Sequence, residues 1–230
     1  MTRIPRGKST FLGRVGDVQP DQIDSLVSCH ESALPTDVMT MMGHSFLRAR
    51  YRFYQHHPQG ICLTAVDEKG RVAGFVVGAP PAVRRQFLRR HFLHTFWRMA
   101  SGSLTDSRIR ARFTGAMRGA VRKALVRMRL VRPNGGGSGG GRKSIVREPE
   151  GHYVVLLTLG ARPDCRGQGV GKALTRAFAE RCRELGFDAA YLMTKCDNQA
   201  ANSVYQKAGW ELVAARKGFN HYRLEIRQSD

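Results

Sequence analysis

At 230 residues with 42% hydrophobic side chains, the chain has room for one ordinary domain with its own core and an insertion. Five scattered cysteines (Cys29, Cys62, Cys165, Cys182, Cys196), never in C-x-x-C spacing, support neither a zinc site nor a disulfide frame, so reduced thiols and no metal are expected. The formal charge of +20 is uneven: from Val83 to Arg147 seventeen Lys/Arg face one acid, Asp106, so +16 lies there and +4 elsewhere.

Met1 to Lys8 has charge but no apolar h-region, so no signal peptide is expected. Phe11 to Val18 reads as a first strand. A helix starts near Pro20-Asp21 with Ile23, Leu26, Val27 and Cys29-His30 inward, and Pro35-Thr36-Asp37 opens a second one through Met39, Met42, Phe46, Leu47 and Tyr51. Ile61 to Val66 and Val72 to Val77 form a hairpin around Asp67-Glu68-Lys69-Gly70. The longest apolar stretch, around Val72 to Val83, is broken by Gly and Pro and too short to span a bilayer.

The next strand, His152 to Gly160, is delayed by about seventy residues, and connections of that length inside compact domains are usually functional. Val83, Phe87, Phe92, Phe96 and Met99 fall at helical spacing in this segment. A longer apolar stripe follows, Ile109, Phe113, Met117, Ala120, Ala124 and Met128, ringed by arginines. Pro133 ends it, and Gly135 to Gly141 is a Gly/Ser-rich flexible linker. Three readings of these basic helices stay open. They are a solvated face packed on the core, an interfacial anchor with Phe and Trp97 in anionic lipid, or a nucleic-acid surface, which the clustered aromatics favour less.

Leu159 to Lys172 reads as the end of a strand, a Pro-marked turn, and three alternating glycines opening a helix. Val170, Leu174, Ala177, Phe178, Cys182 and Leu185 supply that helix's apolar stripe, and Gly186 its stop. Glycines ahead of a helix N-terminus let the backbone approach a ligand, and the free N–H groups favour an anion such as phosphate. A Walker loop is excluded because Ala173 follows Lys172 and Arg166 stands five before Gly171. A dinucleotide fingerprint fits poorly, since the glycines run G-x-G-x-G and the following strand, Ala189 to Met193, ends in Thr194-Lys195. Arg166-Gly167-Gln168-Gly169-Val170-Gly171 fits a third cradle, Q/R-x-x-G-x-G/A, throughout.

Further on, Asn198 caps a helix in which Ala201, Val204 and Ala208 share a face and Gly209 is the stop. Asn198, Ala201, Tyr205 and Gly209-Trp210 match N-x-x-A-x-x-x-Y-x-x-x-G-[FW]. With these two motifs in this order, the chain resembles the GNAT superfamily of acyl-CoA-dependent N-acetyltransferases. The resemblance is strong from Tyr153 to Arg227, fair from Gly13 to Ala79, and absent between Pro80 and Gly151.

The resemblance implies an α/β (α+β) fold: a mixed, mostly antiparallel central sheet flanked by helices. Residues 1–230 form one domain, with the basic helical insertion (80–150) between the third and fourth strands. It also implies a splayed strand whose Leu159, Gly160 and Ala161 meet the pantetheine arm of acetyl-CoA as co-substrate. The N–H groups of Gly167, Gln168, Gly169, Val170, Gly171 and Lys172 would cradle the pyrophosphate, with charge from Arg166 and Lys172. Asn198 would contact the cofactor arm, and Tyr205 would protonate the departing thiolate. The chain departs from the pattern at Leu157, which stands where many members carry a glutamate base. A water chain, His152, Glu148, Glu150 or Asp37 remain as alternatives for that role. The implied function is direct transfer of an acetyl group to a primary amine on a small molecule such as an amino sugar; the reduced thiols point to a cytoplasmic enzyme, and the basic insertion to one peripheral to the inner membrane face. The alternatives are acetylation of a protein or charged-tRNA amine, or a non-catalytic acyl-CoA- or polyanion-binding module.

Overall fold

The computed structural model describes residues 11–91 and 151–226. The chain divides into a unit of residues 1–87 with 148–230 and a second of 88–147, of which only 88–91 are described. In the first unit, β1 (Arg14–Asp17) leads through a 3-10 turn to α1 (Ile23–Ala33), α2 (Val38–Met41) and α3 (His44–His56). The hairpin β2 (Ile61–Val66) and β3 (Val72–Ala79) follows, then α4 (Pro81–Arg90). The C-terminal part runs β4 (Tyr153–Ala161), α5 (Val170–Glu184), β5 (Ala189–Lys195), α6 (Gln199–Lys207), β6 (Glu211–Arg216) and β7 (Phe219–Glu225). The seven strands make one sheet ordered β1-β2-β3-β4-β5-β7-β6. Each neighbouring pair is antiparallel except β4 with β5. This is the mixed, mostly antiparallel sheet that the sequence implied.

Packing follows the apolar stripes. Val170, Leu174, Phe178 and Cys182 place α5 against one face of the sheet with at most 1% exposure each. Gly78 of β3 makes room for Phe178: a Cβ there would stand 2.4 Å from its ring. Trp210 stacks on the same ring at 6.4 Å between centroids. Phe178→Ala is therefore expected to cost about 3–5 kcal/mol, the usual range for emptying a buried aromatic site. Urea unfolding of the purified variant checks it, with the loss appearing in the midpoint and not in the slope.

Four expectations need correction. The second helix does not run unbroken from Pro35: Gly43, at φ 88°, ends α2 and opens α3 in a backbone conformation that a side chain resists. β1 is only Arg14–Asp17, shorter than Phe11 to Val18. β3 continues to Ala79, and β4 is shifted one residue to Tyr153–Ala161. The helix expected through Met99 is described as α4 to Arg90, and its later residues, the second basic stripe and the Gly/Ser run lie outside the described residues. Phe87 of α4 packs its ring on Phe46, Phe53 and Tyr54 of α3 at 5.3 to 5.7 Å. Val83 and Phe87 are buried, whereas Arg84, Arg85, Arg89 and Arg90 are exposed.

Candidate acyl-donor cleft

The site begins with a ladder that stops early. β4 pairs with β5 only from Tyr153↔Ala189 to Val155↔Tyr191, while β5 continues pairing with β7 out to Lys195↔Phe219. The edge of β4 from Leu156 to Ala161 therefore faces β5 without a ladder, leaving backbone donors and acceptors for another partner. On its other edge β4 stays paired with β3, but the register shifts between Val77 and Gly78 and leaves Leu157 as the extra residue. Such a bulge bends and twists its strand. Leu157 thus occupies the bulge, and Leu159, Gly160 and Ala161 lie on the opened edge beyond it.

The chain then turns through Pro163–Cys165 into the glycine loop. Arg162 clamps the turn, donating to Asp164 at 2.6 Å, Asp67 at 3.2 Å and the Val72 carbonyl at 3.3 Å. Its guanidinium holds the Asp164 carboxyl below the usual carboxylate range. Gln168 Nε2 donates to the Asp164 carbonyl at 2.9 Å, which orients its side chain along the loop. Gly167 (φ 77°) and Gly169 (φ 85°) hold left-handed conformations, and Gly169 is the N-cap of α5. The Ala173 N–H bonds back to the Gly169 carbonyl, so the N–H groups of Val170, Gly171 and Lys172 ahead of it have no intrahelical partner. N–H groups without an intrahelical partner at the start of a fifteen-residue helix, with the Lys172 side chain exposed beside them, fit a pyrophosphate. Arg166 is also exposed, but its Nη2 donates to the Ala33 carbonyl at 2.9 Å, tying the loop to the end of α1.

α6 closes the C-terminal side. Asn198 Oδ1 accepts from the Ala201 N–H at 3.2 Å, the capping expected of it. Tyr205 is 6% exposed, with its ring against Trp210 at 5.8 Å and Tyr222 at 5.9 Å. Burial pushes its phenol up to about 12, so it is protonated at neutral pH. Beneath it, buried Asn202 donates through Nδ2 to the carbonyls of Lys195, Cys196 and Asn198 at 2.9 to 3.2 Å. Its Oδ1 accepts from Asn220 and from the Tyr222 hydroxyl, each at 2.9 Å. Asn202 thereby fixes α6 to β5 and β7. Its sign in the sequence is an asparagine inside a helix, a residue that tends to bond its side chain to backbone.

Facing α1 and α3, β4 presents Thr158, whose Oγ1 accepts from Arg50 Nη2 at 2.8 Å. Arg50 is 5% exposed and lies over the rings of Tyr51 and Tyr54, 5.7 and 5.8 Å from their centroids. Its sign in the sequence is a charged residue within the stripe Phe46, Leu47, Tyr51, Tyr54. Of the residues named for the base, His152 sits at the start of β4, where the ladder with β5 is intact. It is held by the Gly186 carbonyl at 3.0 Å and the Phe187 ring at 4.4 Å. Glu148 and Glu150 lie outside the described residues. Asp37 lies at the N-cap of α2.

A strand pair opened beside a glycine loop at a helix N-terminus is the frame that the resemblance implied. The sequence profile described as Acetyltransferase (GNAT) family matches residues 124–210. The fold is of the GNAT type, and residues 124–210 are similar in sequence to that family. It is similar to a mycothiol acetyltransferase of Saccharomonospora viridis, 40% identical over 58 residues, which are 25% of this chain and 19% of that protein. It is similar also to that of Streptomyces coelicolor, 42% identical over 55 residues, 24% of this chain and 18% of that protein. The matched segment thus spans about a fifth of the length of these curated relatives. Among solved structures, the phosphinothricin acetyltransferase of Sinorhizobium meliloti in complex with AcCoA aligns at TM-score 0.54 and 14% identity, over 94% of this chain and 89% of that one. An N-acetyltransferase from Staphylococcus aureus aligns at TM-score 0.55 and 9% identity, over 94% and 99%. These structural likenesses concern the fold.

Proposed function

We propose that this chain moves an acetyl group from acetyl-CoA to a primary amine on a small molecule, such as an amino sugar, by direct transfer. The observation that carries the reading is the β4 edge left without a ladder from Leu156 to Ala161, ending at the glycine loop. The pantetheine arm would lie along Leu159, Gly160 and Ala161, with its amides pairing to the strand. The pyrophosphate would rest on the N–H groups from Gly167 to Lys172, with Lys172 supplying charge. Asn198 lies at the head of α6 for the cofactor arm, and Tyr205 would give its proton to the departing thiolate.

Direct transfer is favoured over a cysteinyl intermediate by the thiols themselves. Burial pushes Cys29 up to about 11 and Cys62 up to about 12, against a nucleophile's need for thiolate at neutral pH. Cys165 is buried, and the exposed Cys196 turns its thiol to Asn220 at 3.2 Å. The test is a mass-spectrometric screen of amine acceptors with acetyl-CoA. Products gaining one acetyl group support the reading; no acetylated amine from a protein that binds acetyl-CoA rejects it in favour of a binding module.

The basic segment is proposed to place the enzyme on an anionic surface, the inner membrane face before nucleic acid. The exposed arginines of α4 begin the +16 run, and a polybasic contact is worth about 1 kcal/mol per residue near a charged leaflet. No helix among the described residues is long and apolar enough to cross a membrane. Replacing residues 88–147 by a short linker retains Val83 and Phe87 in the core. That variant is expected to stay folded and active but to lose flotation with anionic liposomes. Binding that disappears entirely in high salt, with tRNA as an effective competitor, would assign the segment to nucleic acid instead.

A further inference from the structure

Within the N-terminal half lies a chain of polar side chains that the acyl-donor cleft does not use. His30 of α1 is fully buried and stacks on Phe75 at 5.2 Å. Its Nε2 faces the Asp37 carboxylate at 3.6 Å, and its Nδ1 meets the Tyr51 hydroxyl. A ring nitrogen directed at a carboxylate carries the hydrogen, so in neutral His30 Nδ1 accepts from Tyr51. Tyr51 suits that role, because burial raises its phenol well above its ordinary range and keeps it protonated. The chain runs from Tyr51 through His30 to Asp37, and only its last member opens outward. The Asp37 side chain is 38% exposed, whereas that of His30 is not exposed at all.

Asp37 is held ionised. Burial works against the charge, but the His30 N–H, the Met39 N–H at 3.3 Å and the Arg50 guanidinium outweigh it and hold the carboxyl below its ordinary value. These groups come from α1, α2 and α3, and Tyr51 of α3 also interacts with the carboxylate. The connection presenting Asp37 is braced: Leu34 N–H donates to the His30 carbonyl at 2.8 Å, and Thr40 Oγ1 and Asp37 N–H donate to the Leu34 carbonyl at 2.7 and 3.0 Å. It leaves α1 at the opened strand. A Cβ on Gly160 would stand 3.2 Å from Ala33 Cβ, and the Ala33 carbonyl accepts from Arg166 of the glycine loop.

We propose that Asp37 receives the ammonium of the acceptor as its charge partner, with His30 and Tyr51 as positioning residues that hold the carboxylate. The proposal rests on the acyltransferase reading and deepens it by naming the acceptor's charge and the group that pairs with it. One N–H bond of the bound ammonium breaks and its proton passes to water. The freed nitrogen pair forms the C–N bond as the C–S bond breaks, and the thiolate takes a proton from Tyr205. The amide nitrogen's remaining surplus proton also passes to water, and water restores the phenol. The acceptor class follows: aliphatic primary amines, charged at neutral pH, depend on Asp37, and aromatic amines, neutral there, do not.

The test uses the full chain and Asp37→Asn, which keeps a good N-cap, with Asp37→Ser as a second capping variant. Acetyl transfer is compared for an aliphatic and an aromatic amine, alongside acetyl-CoA affinity and melting temperature. Expected is a fall of roughly 10²-fold in kcat/KM for the aliphatic amine, the scale of a lost charge partner, with the aromatic amine and cofactor affinity nearly unchanged. His30→Gln should move the acid limb of kcat/KM for the aliphatic amine to higher pH, because the imidazole 3.6 Å from the Asp37 carboxylate, which favours its charged form, is lost. Equal losses on both amines, or none, in folded variants overturn the assignment of Asp37 while leaving the acyltransferase reading standing. If the unaltered protein acetylates neither these amines nor any other in the screen, the acyltransferase reading falls and the proposal with it.

Discussion

Tyr205→Phe is expected to slow turnover by roughly 10²-fold while the acetyl-CoA dissociation constant stays within a few-fold, the pattern of a lost general acid. The ring keeps its contacts with Trp210 and Tyr222, so the substitution removes an oxygen and little packing. No hydrogen bond between that hydroxyl and a described side chain is broken, which distinguishes it from Tyr222, whose hydroxyl donates to Asn202. The pH dependence has a definite sign. The folded phenol, pushed to about 12 by burial, is an acid throughout the neutral range, and its loss of activity belongs to the alkaline limb. The same shift makes the protonated form favour folding: this contribution is complete below the ordinary tyrosine value and is lost as pH rises towards 12. Steady-state rates with and without the hydroxyl, at saturating acetyl-CoA, decide the matter. Equal turnover numbers would leave Tyr205 a packing residue.

The parts legible in the sequence are those whose physics is local. The stripe Val170, Leu174, Phe178, Cys182 repeats at helical spacing, and those side chains do bury α5. Gly167, Gly169 and Asn198 announced their loop and cap because left-handed backbone and capping oxygens have few suitable residues. β6 and β7 were not placed. β6 is exposed along most of its length, including Leu212 at 46% and Val213 at 43%, so it has no clean alternation of buried and exposed residues. Its turn to β7 passes through Lys217 at φ 51° and Gly218 at φ 80°, a pairing less telling than Asn-Gly. Gly43 was hidden because the apolar residues on both sides of it fit one helical pattern.

The polar residues of the site were illegible for a different reason: their partners are distant in the chain. Arg50 meets Thr158 across 108 residues and Arg166 meets Ala33 across 133, so neither pair leaves a spacing to recognise. His30 and Asp37 were each noted, one as a core residue and one among several bases. Their meeting depends on the turn from Leu34 to Asp37, which the assumed helix from Pro35 concealed. Leu157 illustrates the converse. Its sequence position announced a missing glutamate, but only the register between β3 and β4 shows that it fills a bulge.

The largest effect on binding is expected at Gly169, where Gly169→Glu should abolish measurable acetyl-CoA affinity. Two terms act together. Gly169 caps α5 at φ 85° and ψ 0°, a left-handed conformation that costs an ordinary residue about 1–2 kcal/mol. A carboxylate would also stand at a helix N-terminus that the reading reserves for a pyrophosphate, competing for its N–H groups and repelling its charge. Gly169→Ala separates the terms, because it retains the strain without the charge and should weaken binding far less. Gly171→Ala is a steric control of another kind. A Cβ there would meet Val204 methyls at 3.5 and 3.6 Å, ordinary contact, and Leu159 at 4.0 Å. It should fold normally and keep most of the affinity, whereas Gly171→Glu adds charge to the same helix end and should fail with Gly169→Glu. Calorimetric titration of acetyl-CoA, with melting temperatures to establish that each variant is folded, measures all four. Undiminished affinity in a folded Gly169→Glu protein would remove the pyrophosphate from this loop, and with it the reason for the glycine cap.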